Sequence, residues 1–311
     1  MQRPLLWTAI GLIALLIPSI WWMKVMTVDP VDVSSDSERV QLRSADDALR
    51  FAIAPVLPPE TTNRIYRNLA GYLSEQLGRP VQLVQRKTYT EVNELLRLQK
   101  VHFGLICPGA YMKAHIDGLQ IEVLQVPYGK QGAMGLALTV VRADSPLQDF
   151  QDLSGRVMAL SDPLSLAGYL YPLILASERG YSARGFAENA LLTYSYDSSI
   201  HAVLDGAADA AAVDAMFYEY EMMHSQNHSD ELRVLHRSEG LPGGPMVVPT
   251  SLDTELKKQL RLALVGMTRS ARGRSVLMSL GIEGFGDPPP DLYDPMTQRV
   301  IDLYSDLERD P

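Results

Sequence analysis

The residues best suited to binding chemistry lie in one stretch, Ser161–Leu170, which reads SDPLSLAGYL. It follows Val157–Leu160, an apolar run typical of a buried strand, and Ser165 is a suitable N-terminal cap for a helix over Ala167–Ser177. Where a strand ends in a turn and a helix begins, free backbone N–H groups and the helix dipole attract an anion. In open α/β sheets, ligands bind at this edge of the sheet. The same pattern is also compatible with an ordinary strand-to-helix loop, in which the serine only caps the helix.

The composition limits the class of protein. The chain has 311 residues, of which 46% are hydrophobic and 21% are charged, so it is globular and long enough for two lobes. A net charge of −9 argues against a nucleic-acid partner, but local donors could still hold a small anionic ligand. The one cysteine, Cys107, rules out an internal disulfide. His224 and His228 lie four residues apart in a polar segment without a third ligand, so we expect a solvated helix end, no metal site and no cofactor.

An uncharged apolar run covers Leu5–Met23, and at about 20 residues it is long enough to span a bilayer. One basic residue stands on each side of it, and two tryptophans lie near its end, as in an aromatic belt. A cleaved signal peptide is the alternative, but its apolar core would be about 7–15 residues long and would end in a small-x-small site, which is missing. We therefore predict an uncleaved transmembrane signal anchor at residues 1–26, followed by a flexible acidic linker at 27–47.

Strands and helices alternate with short connections after the linker, which predicts parallel sheets with helices on both faces. The alternation begins again after Asp144-Ser145-Pro146, so we expect two α/β units. The pattern predicts strands at Leu49–Ala54, Val81–Val84, His102–Ile106, Gly135–Val141, Val157–Leu160, Leu191–Ser195, Ala210–Val213, Leu232–Leu235 and Met246–Val248, and helices at Thr62–Leu77, Thr90–Leu98, Ala167–Ser177, Ser198–Leu204, Asp253–Gly266 and Ala271–Leu280.

Several short motifs stand in a specific order along the chain. They are VHFGLICPGAY at 101–111, DSP at 144–146 with DLSGRV at 152–157, DPLSLAGY at 162–169, AVLDGAADA at 202–210, and GLPGGP at 240–245. Each is weak alone, but in this order and spacing they resemble the periplasmic substrate-binding proteins of phosphate/phosphite/phosphonate ABC transporters. The resemblance runs from about Leu49 to Tyr304 and leaves the predicted anchor outside.

The resemblance implies an α/β, two-lobed type II periplasmic-binding-protein fold, whose lobes close on a ligand in the cleft between them. Lobe one would be residues 49–140 and 249–311, and lobe two residues 141–248. The strands that cross between the lobes would be Leu136–Val141 outward and Met246–Val248 on the return.

The resemblance also implies where the ligand binds. In the family, an S-T-S turn gives hydroxyl and backbone N–H groups to the phosphonyl oxygens, and this turn is Ser165-Leu166-Ala167 here. The family's histidine at the start of the next helix corresponds to Tyr196, and a tyrosine ahead of the second helix is kept as Tyr89. The expected ligand-binding residues are therefore Tyr89, Ser165, Leu166, Ala167 and Tyr196.

Other family contacts are replaced. The tyrosine of the outgoing strand falls at Gly135, and the acids that bind a ligand's amino group fall at Met216 and Gly244. Losing two hydroxyls from the turn should weaken phosphonate binding by roughly 3 kcal/mol. We therefore predict weak or absent binding of phosphate-like oxyanions, and a bulkier, less charged ligand that contacts Leu166. Asp214, at the end of a predicted strand, is expected to cap a helix.

Two functions stay open at this point. The first is a membrane-tethered solute-binding protein that captures a small anionic or polar ligand outside the inner membrane and delivers it to an ABC permease. The alternative is a tethered sensor or accessory receptor, which binds a different ligand or a protein partner. We do not expect an enzyme: the related fold hosts one in thiamine pyrimidine synthesis, but that chemistry uses a cysteine-rich loop, whereas this chain has Cys107 alone and no nucleophile–base pair.

Overall fold

The computed structural model describes residues 48–53, 59–130, 132–224 and 230–309. The predicted signal anchor at 1–26 and the predicted linker at 27–47 lie outside these residues, so both stay predictions. Within the described ranges, we find no helix that is both long enough and apolar enough to cross a bilayer.

The described residues form thirteen β-strands and ten α-helices. The strands are β1 (Leu49–Ile53), β2 (Val81–Gln85), β3 (Phe103–Leu105), β4 (Ile121–Tyr128), β5 (Met134–Gly135), β6 (Ala137–Arg142), β7 (Met158–Leu160), β8 (Leu191–Leu192), β9 (Ala210–Asp214), β10 (Leu232–Arg237), β11 (Leu241–Pro242), β12 (Met246–Pro249) and β13 (Gly284–Gly286). The α-helices are α1 (Pro59–Leu77), α2 (Tyr89–Arg97), α3 (Pro108–Ile116), α4 (Tyr171–Glu178), α5 (Ala183–Glu188), α6 (Tyr196–Leu204), α7 (Ala215–His224), α8 (Thr254–Val265), α9 (Ala271–Leu280) and α10 (Asp294–Arg309).

Two larger sheets organise the chain. One has six strands in the order β13-β4-β12-β3-β1-β2, and the other has five in the order β10-β6-β9-β7-β8. We call the elements built on the six-stranded sheet the first lobe, and those built on the five-stranded sheet the second lobe. This is the two-lobed α/β arrangement that the sequence predicts.

Both sheets are mixed, although the strand–helix alternation predicts parallel ones. In the first lobe, β1 is parallel to β2 and β3, whereas β12 is antiparallel to β3 and β4. In the second lobe, β7 is parallel to β8 and β9, whereas β6 is antiparallel to β9 and β10. The strands β6 and β12 each follow a passage between the lobes. They run against their neighbours because the chain enters each sheet from the other lobe.

The passages between the lobes run through a short antiparallel ribbon of β5 and β11. In this ribbon Gly135 pairs with Leu241, and Met134 pairs with Pro242. The predicted crossing strands differ from this: β6 lies wholly within the second sheet, and β12 lies within the first. The chain therefore passes from one lobe to the other just before Leu136–Val141 and just before Met246–Val248, the two predicted crossing strands. A hinge between the lobes would lie in the ribbon.

Each lobe buries apolar side chains between its sheet and helices. In the first lobe, Leu69 and Leu73 of α1 pack with Leu260 of α8 and with Phe51 of the sheet. In the second lobe, α4 is buried on nearly all sides, which fits its almost wholly apolar sequence YPLILASE. These cores fix the strand ends from which the cleft loops emerge.

The last helix, α10, packs against the second lobe. Its buried residues Met296, Val300 and Leu303 share a core with Leu173 and Ile174 of α4. On its surface, Arg299 forms ion pairs with Glu178 and Glu239, each at 2.7 Å. The lobe boundaries predicted at 140/141 and 248/249 stay a prediction. Helix α10 belongs to the segment 249–311, which was predicted to be part of lobe one, but it packs on the second lobe.

Candidate functional site

A cleft of about 140 Å³ lies between the lobes, at the ends of the strands that face the ribbon. Its lining is mostly apolar and comes from both lobes and from the ribbon. The lining residues are Tyr66, Tyr89, Leu105, Ile106, Cys107, Pro108, Pro127, Leu280 and Ile282 of the first lobe, Gly135, Leu136 and Leu241–Gly244 of the ribbon and its flanks, and Leu166, Ala167, Tyr196, Asp214 and Met216 of the second lobe.

The residues after Ser165 form a wider turn than the α-helix predicted to begin at Ala167. Leu166–Leu170 is a π-helical turn, and α4 begins only at Tyr171. Ser165 Oγ accepts a hydrogen bond from the Gly168 N–H at 3.0 Å and lies 2.8 Å from the Tyr196 hydroxyl. Single π-helical turns occur frequently at functional sites. Ser165 therefore caps this turn, as expected, and also holds the hydroxyl of Tyr196.

Four of the five predicted ligand-binding residues line the cleft together: Tyr89, Leu166, Ala167 and Tyr196. Ser165 is fully buried behind the lining and contacts the cleft through Tyr196. The structure thus brings the predicted residues into one place, and their role in ligand binding stays a prediction.

Two of the predicted ligand-binding residues bring tyrosine hydroxyls to the cleft. Tyr89 and Tyr196 are both buried, and burial raises the pKa of each hydroxyl well above its usual value. Both hydroxyls are therefore neutral at physiological pH and can donate or accept a hydrogen bond. Gly168 leaves room for this arrangement, because a Cβ there would lie 2.6 Å from the Tyr196 ring.

A carboxylate of the second lobe contacts the start of a helix in the first lobe. Asp162 Oδ2 accepts a hydrogen bond from the backbone N–H of Tyr89, the first residue of α2, at 3.0 Å. Asp162 Oδ1 accepts one from the Leu164 N–H at 2.8 Å. Burial nevertheless raises the pKa of Asp162 above its usual value. The sequence does not predict this role for Asp162, because a hydrogen bond to a residue 73 positions away leaves no signal among neighbouring residues.

The two lobes also touch at Gly109, the second residue of α3. A Cβ on Gly109 would overlap the carbonyl oxygen of Leu164 and would lie 2.9 Å from the backbone nitrogen of Leu166. The chain of the first lobe therefore packs directly on the 164–166 turn of the second lobe, and only glycine allows this approach.

Asp214 combines the expected role with one that the sequence did not suggest. At the end of β9 its Oδ1 accepts hydrogen bonds from the N–H groups of Met216 at 2.8 Å and Phe217 at 3.4 Å, which is the expected helix cap. Asp214 also lines the cleft, and its Oδ2 lies 3.9 Å from where a Cβ on Gly135 would be. Burial raises the pKa of the Asp214 carboxyl to about 6.

The raised pKa of Asp214 makes stability depend on pH. Its ordinary value of 3.8 applies to the unfolded chain and the value of about 6 to the folded one, so the folded state binds the proton more tightly. We therefore expect Asp214 to lower the free energy of unfolding as the pH rises from about 4 to about 6, by at most about 3 kcal/mol. The effect should be smaller in practice, because Asp214 is partly accessible to solvent.

Urea denaturation at several pH values checks this expectation. The free energy of unfolding of the wild type, relative to that of Asp214→Asn, should decrease as the pH rises across this window. Asp205→Asn, which changes an exposed carboxylate of the same lobe, should follow the wild type. A pH-independent difference between the wild type and Asp214→Asn would contradict the raised pKa.

The described residues bring no fixed positive charge to the cleft. None of its described lining residues is Lys, Arg or His, and Asp214 is the one carboxylate among them. The thiol of Cys107 is neutral as well, since burial raises its pKa to about 12. Within the described ranges, no group of His, Cys, Asp and Glu residues is arranged to hold a metal ion. His228 lies outside those ranges.

Comparison with known proteins finds relatives of this chain. A family model described as "ABC transporter, phosphonate, periplasmic substrate-binding protein" matches residues 51–293, well over half of the chain. The phosphate-import protein PhnD of Mycolicibacterium smegmatis is 25% identical over 240 residues, which cover 73% of this chain and 75% of that protein.

Solved structures share the fold. A binding-protein component of an ABC phosphonate transporter from Pseudomonas aeruginosa matches with a TM-score of 0.77 and 21% identity, over 84% of this chain and 87% of that chain. PhnD1 of Prochlorococcus marinus, in complex with methylphosphonate, matches with a TM-score of 0.75 and 14% identity, over 83% of this chain and 98% of that chain. These likenesses confirm the two-lobed periplasmic-binding-protein fold.

Proposed function

Because this chain belongs to the family of periplasmic substrate-binding proteins of phosphonate ABC transporters, we propose that it captures a small polar ligand in its inter-lobe cleft and delivers it to an ABC permease. The observation that carries the proposal is the cleft itself, which is lined from both lobes and bordered by the two-stranded ribbon. The relatives are transporter subunits rather than enzymes, and the family implies that the folded domain works outside the cytoplasm.

The ligand of this protein need not be the ligand of its relatives. The Mycolicibacterium relative is named for phosphate import, and the Prochlorococcus structure holds methylphosphonate. Among the described residues that line the cleft are neutral hydroxyl donors, a carboxylate and apolar side chains, but no cationic side chain. This supports the prediction that phosphate-like oxyanions bind weakly, since a desolvated anion would lack a partner of opposite charge.

Thermal-shift and calorimetric titrations of the full chain in detergent test the proposal. A ligand that binds the folded state raises the melting temperature by mass action. We expect small polar metabolites to stabilise the protein, and phosphate, phosphite and methylphosphonate to bind with dissociation constants above about 1 μM. Sub-micromolar binding of one of these anions would support the receptor function and contradict the expected preference. No stabilisation by any compound would contradict the receptor function itself.

We also propose that the protein is held at the inner membrane by a single N-terminal span, which rests on the uncharged run Leu5–Met23. The full chain should stay in the membrane fraction after alkaline carbonate washing, and its intact mass should include Met1–Lys24. A mature N-terminus beyond Lys24 would show that the run is a cleaved signal peptide.

A further inference from the structure

The charge pattern of the cleft points to a class of ligand. Asp214 stands in a wall of uncharged residues, next to the space that Gly135 leaves open. Its Oδ1 is used by the backbone N–H groups at the start of α7, while Oδ2 lies on the Gly135 side. A carboxylate in such surroundings is costly unless a partner of opposite charge compensates it.

We propose that the cleft selects small organic cations, with an ammonium group paired to the Asp214 carboxylate and an apolar body against Leu166, Met216 and Ile282. This inference rests on the proposed receptor function and names its substrate class. The rings of Tyr66, Tyr89 and Tyr196 also line the cleft, and aromatic faces attract ammonium groups. An oxyanion would instead meet the same carboxylate, with no cationic side chain among the described lining residues to compensate it.

The groups that face Asp214 do not change charge near neutral pH. Tyr66 of α1, Tyr89 of α2 and Tyr196 of α6 are neutral, because burial raises the pKa of all three hydroxyls, that of Tyr66 to about 12. Glu219, one turn along α7, is exposed to solvent. Within this set, Asp214 is the group whose ionisation in the cleft should govern the binding of a cation.

Calorimetric titration of the full chain in detergent with four compounds of one chain length tests the inference. The probes are butan-1-amine, butan-1-ol, butyrate and butylphosphonate, which share an apolar body and differ in charge. We expect the amine to bind at least about tenfold more tightly than the alcohol, and both anions to bind more weakly than the alcohol. The amine's advantage should vanish in Asp214→Asn and persist in Asp205→Asn, whose changed side chain is exposed and outside the cleft.

A pH series of the wild type gives a second measurement that does not depend on the variant folding. Between about pH 5 and pH 8, affinity for the amine should rise as Asp214 ionises, whereas affinity for the alcohol should stay constant.

Tighter binding of butylphosphonate than of butan-1-amine would overturn the cation inference and leave the receptor function standing. Failure of butan-1-amine to bind would also overturn the cation inference. In that case the receptor function would still stand if an oxyanion or a metabolite from the wider panel binds. If no compound binds, both the cation inference and the receptor function would fail. An amine preference that is unchanged in Asp214→Asn would show that Asp214 does not receive the cation.

Discussion

Replacing Gly109 by alanine is expected to hold the two lobes apart and to weaken ligand binding by roughly 10- to 100-fold. The added Cβ would overlap the carbonyl oxygen of Leu164 and crowd the Leu170 side chain at 2.8 Å. The carbonyl oxygen and the nearby nitrogen of Leu166 are backbone atoms, so neither can turn away as a flexible side chain would. The overlap exists only when the lobes are together, so closure should be disfavoured.

Small-angle X-ray scattering measures the opening as a larger radius of gyration than that of the wild type. Calorimetry with the tightest-binding compound of the panel measures the loss of affinity. Gly266→Ala is a matched control in the first lobe, because a Cβ there meets nothing within 4 Å and the backbone φ is −70°. Wild-type compactness and affinity in Gly109→Ala would show that the lobes do not close on this contact.

Replacing Asp162 by alanine is expected to lower the free energy of unfolding by about 2–3 kcal/mol and to loosen the contact between the lobes. The change removes the acceptor of two backbone N–H groups, those of Tyr89 and Leu164. Both donors are in the buried part of the site, so losing the acceptor leaves them without compensation. The bond to Tyr89 joins the lobes, so closure should weaken along with stability.

Amide hydrogen exchange resolves the two parts of this effect. The Tyr89 and Leu164 amides should both lose protection in Asp162→Ala, and the radius of gyration should increase. Asp149→Ala is the control, since the exposed Asp149 caps a 3-10 turn of the same lobe by accepting from the Gln151 N–H at 2.7 Å. That variant should cost about 1 kcal/mol without changing the exchange at Tyr89. Unchanged protection of Tyr89 in Asp162→Ala would contradict the interlobe bond.

The elements that follow local rules were predictable from the sequence. The apolar run of β1 and the Ser165 cap are within a residue or two of their predicted positions. These features depend on side-chain periodicity and on hydrogen bonds between near neighbours, which are written in consecutive residues.

Some local signals were present and were not used. Helix α3 begins with Pro108 and is missing from the predicted helices, although proline is favoured at the first position of a helix. Helix α10 has Pro295 at its start and buries Met296, Val300 and Leu303, a spacing typical of an amphipathic helix. Both helices could have been predicted by giving these signals more weight.

The cleft could be predicted only in part. The family resemblance named seven residues that line it: four expected ligand-binding residues, and the replaced family contacts Gly135, Met216 and Gly244. It did not place Tyr66 or Asp214 there. Tyr66 lies next to the apolar stripe of α1 and carries no local signal for a ligand site. In the sequence, the role of Asp214 as the cap of α7 is enough to explain an aspartate at this position. Nothing in the neighbouring residues indicates that it also lines the cleft.

The sequence by itself determined the two α/β units, the family and the turn at Ser165, because hydrophobic periodicity, capping and motif order are properties of neighbouring residues. Only the tertiary structure decided which side chains face one another across the cleft. Asp162 reaches the N–H of Tyr89 across 73 positions of the chain, and the 164–166 turn meets Gly109 from the other lobe. Such contacts depend on how the ribbon of β5 and β11 orients the two sheets, and no stretch of consecutive residues determines that orientation.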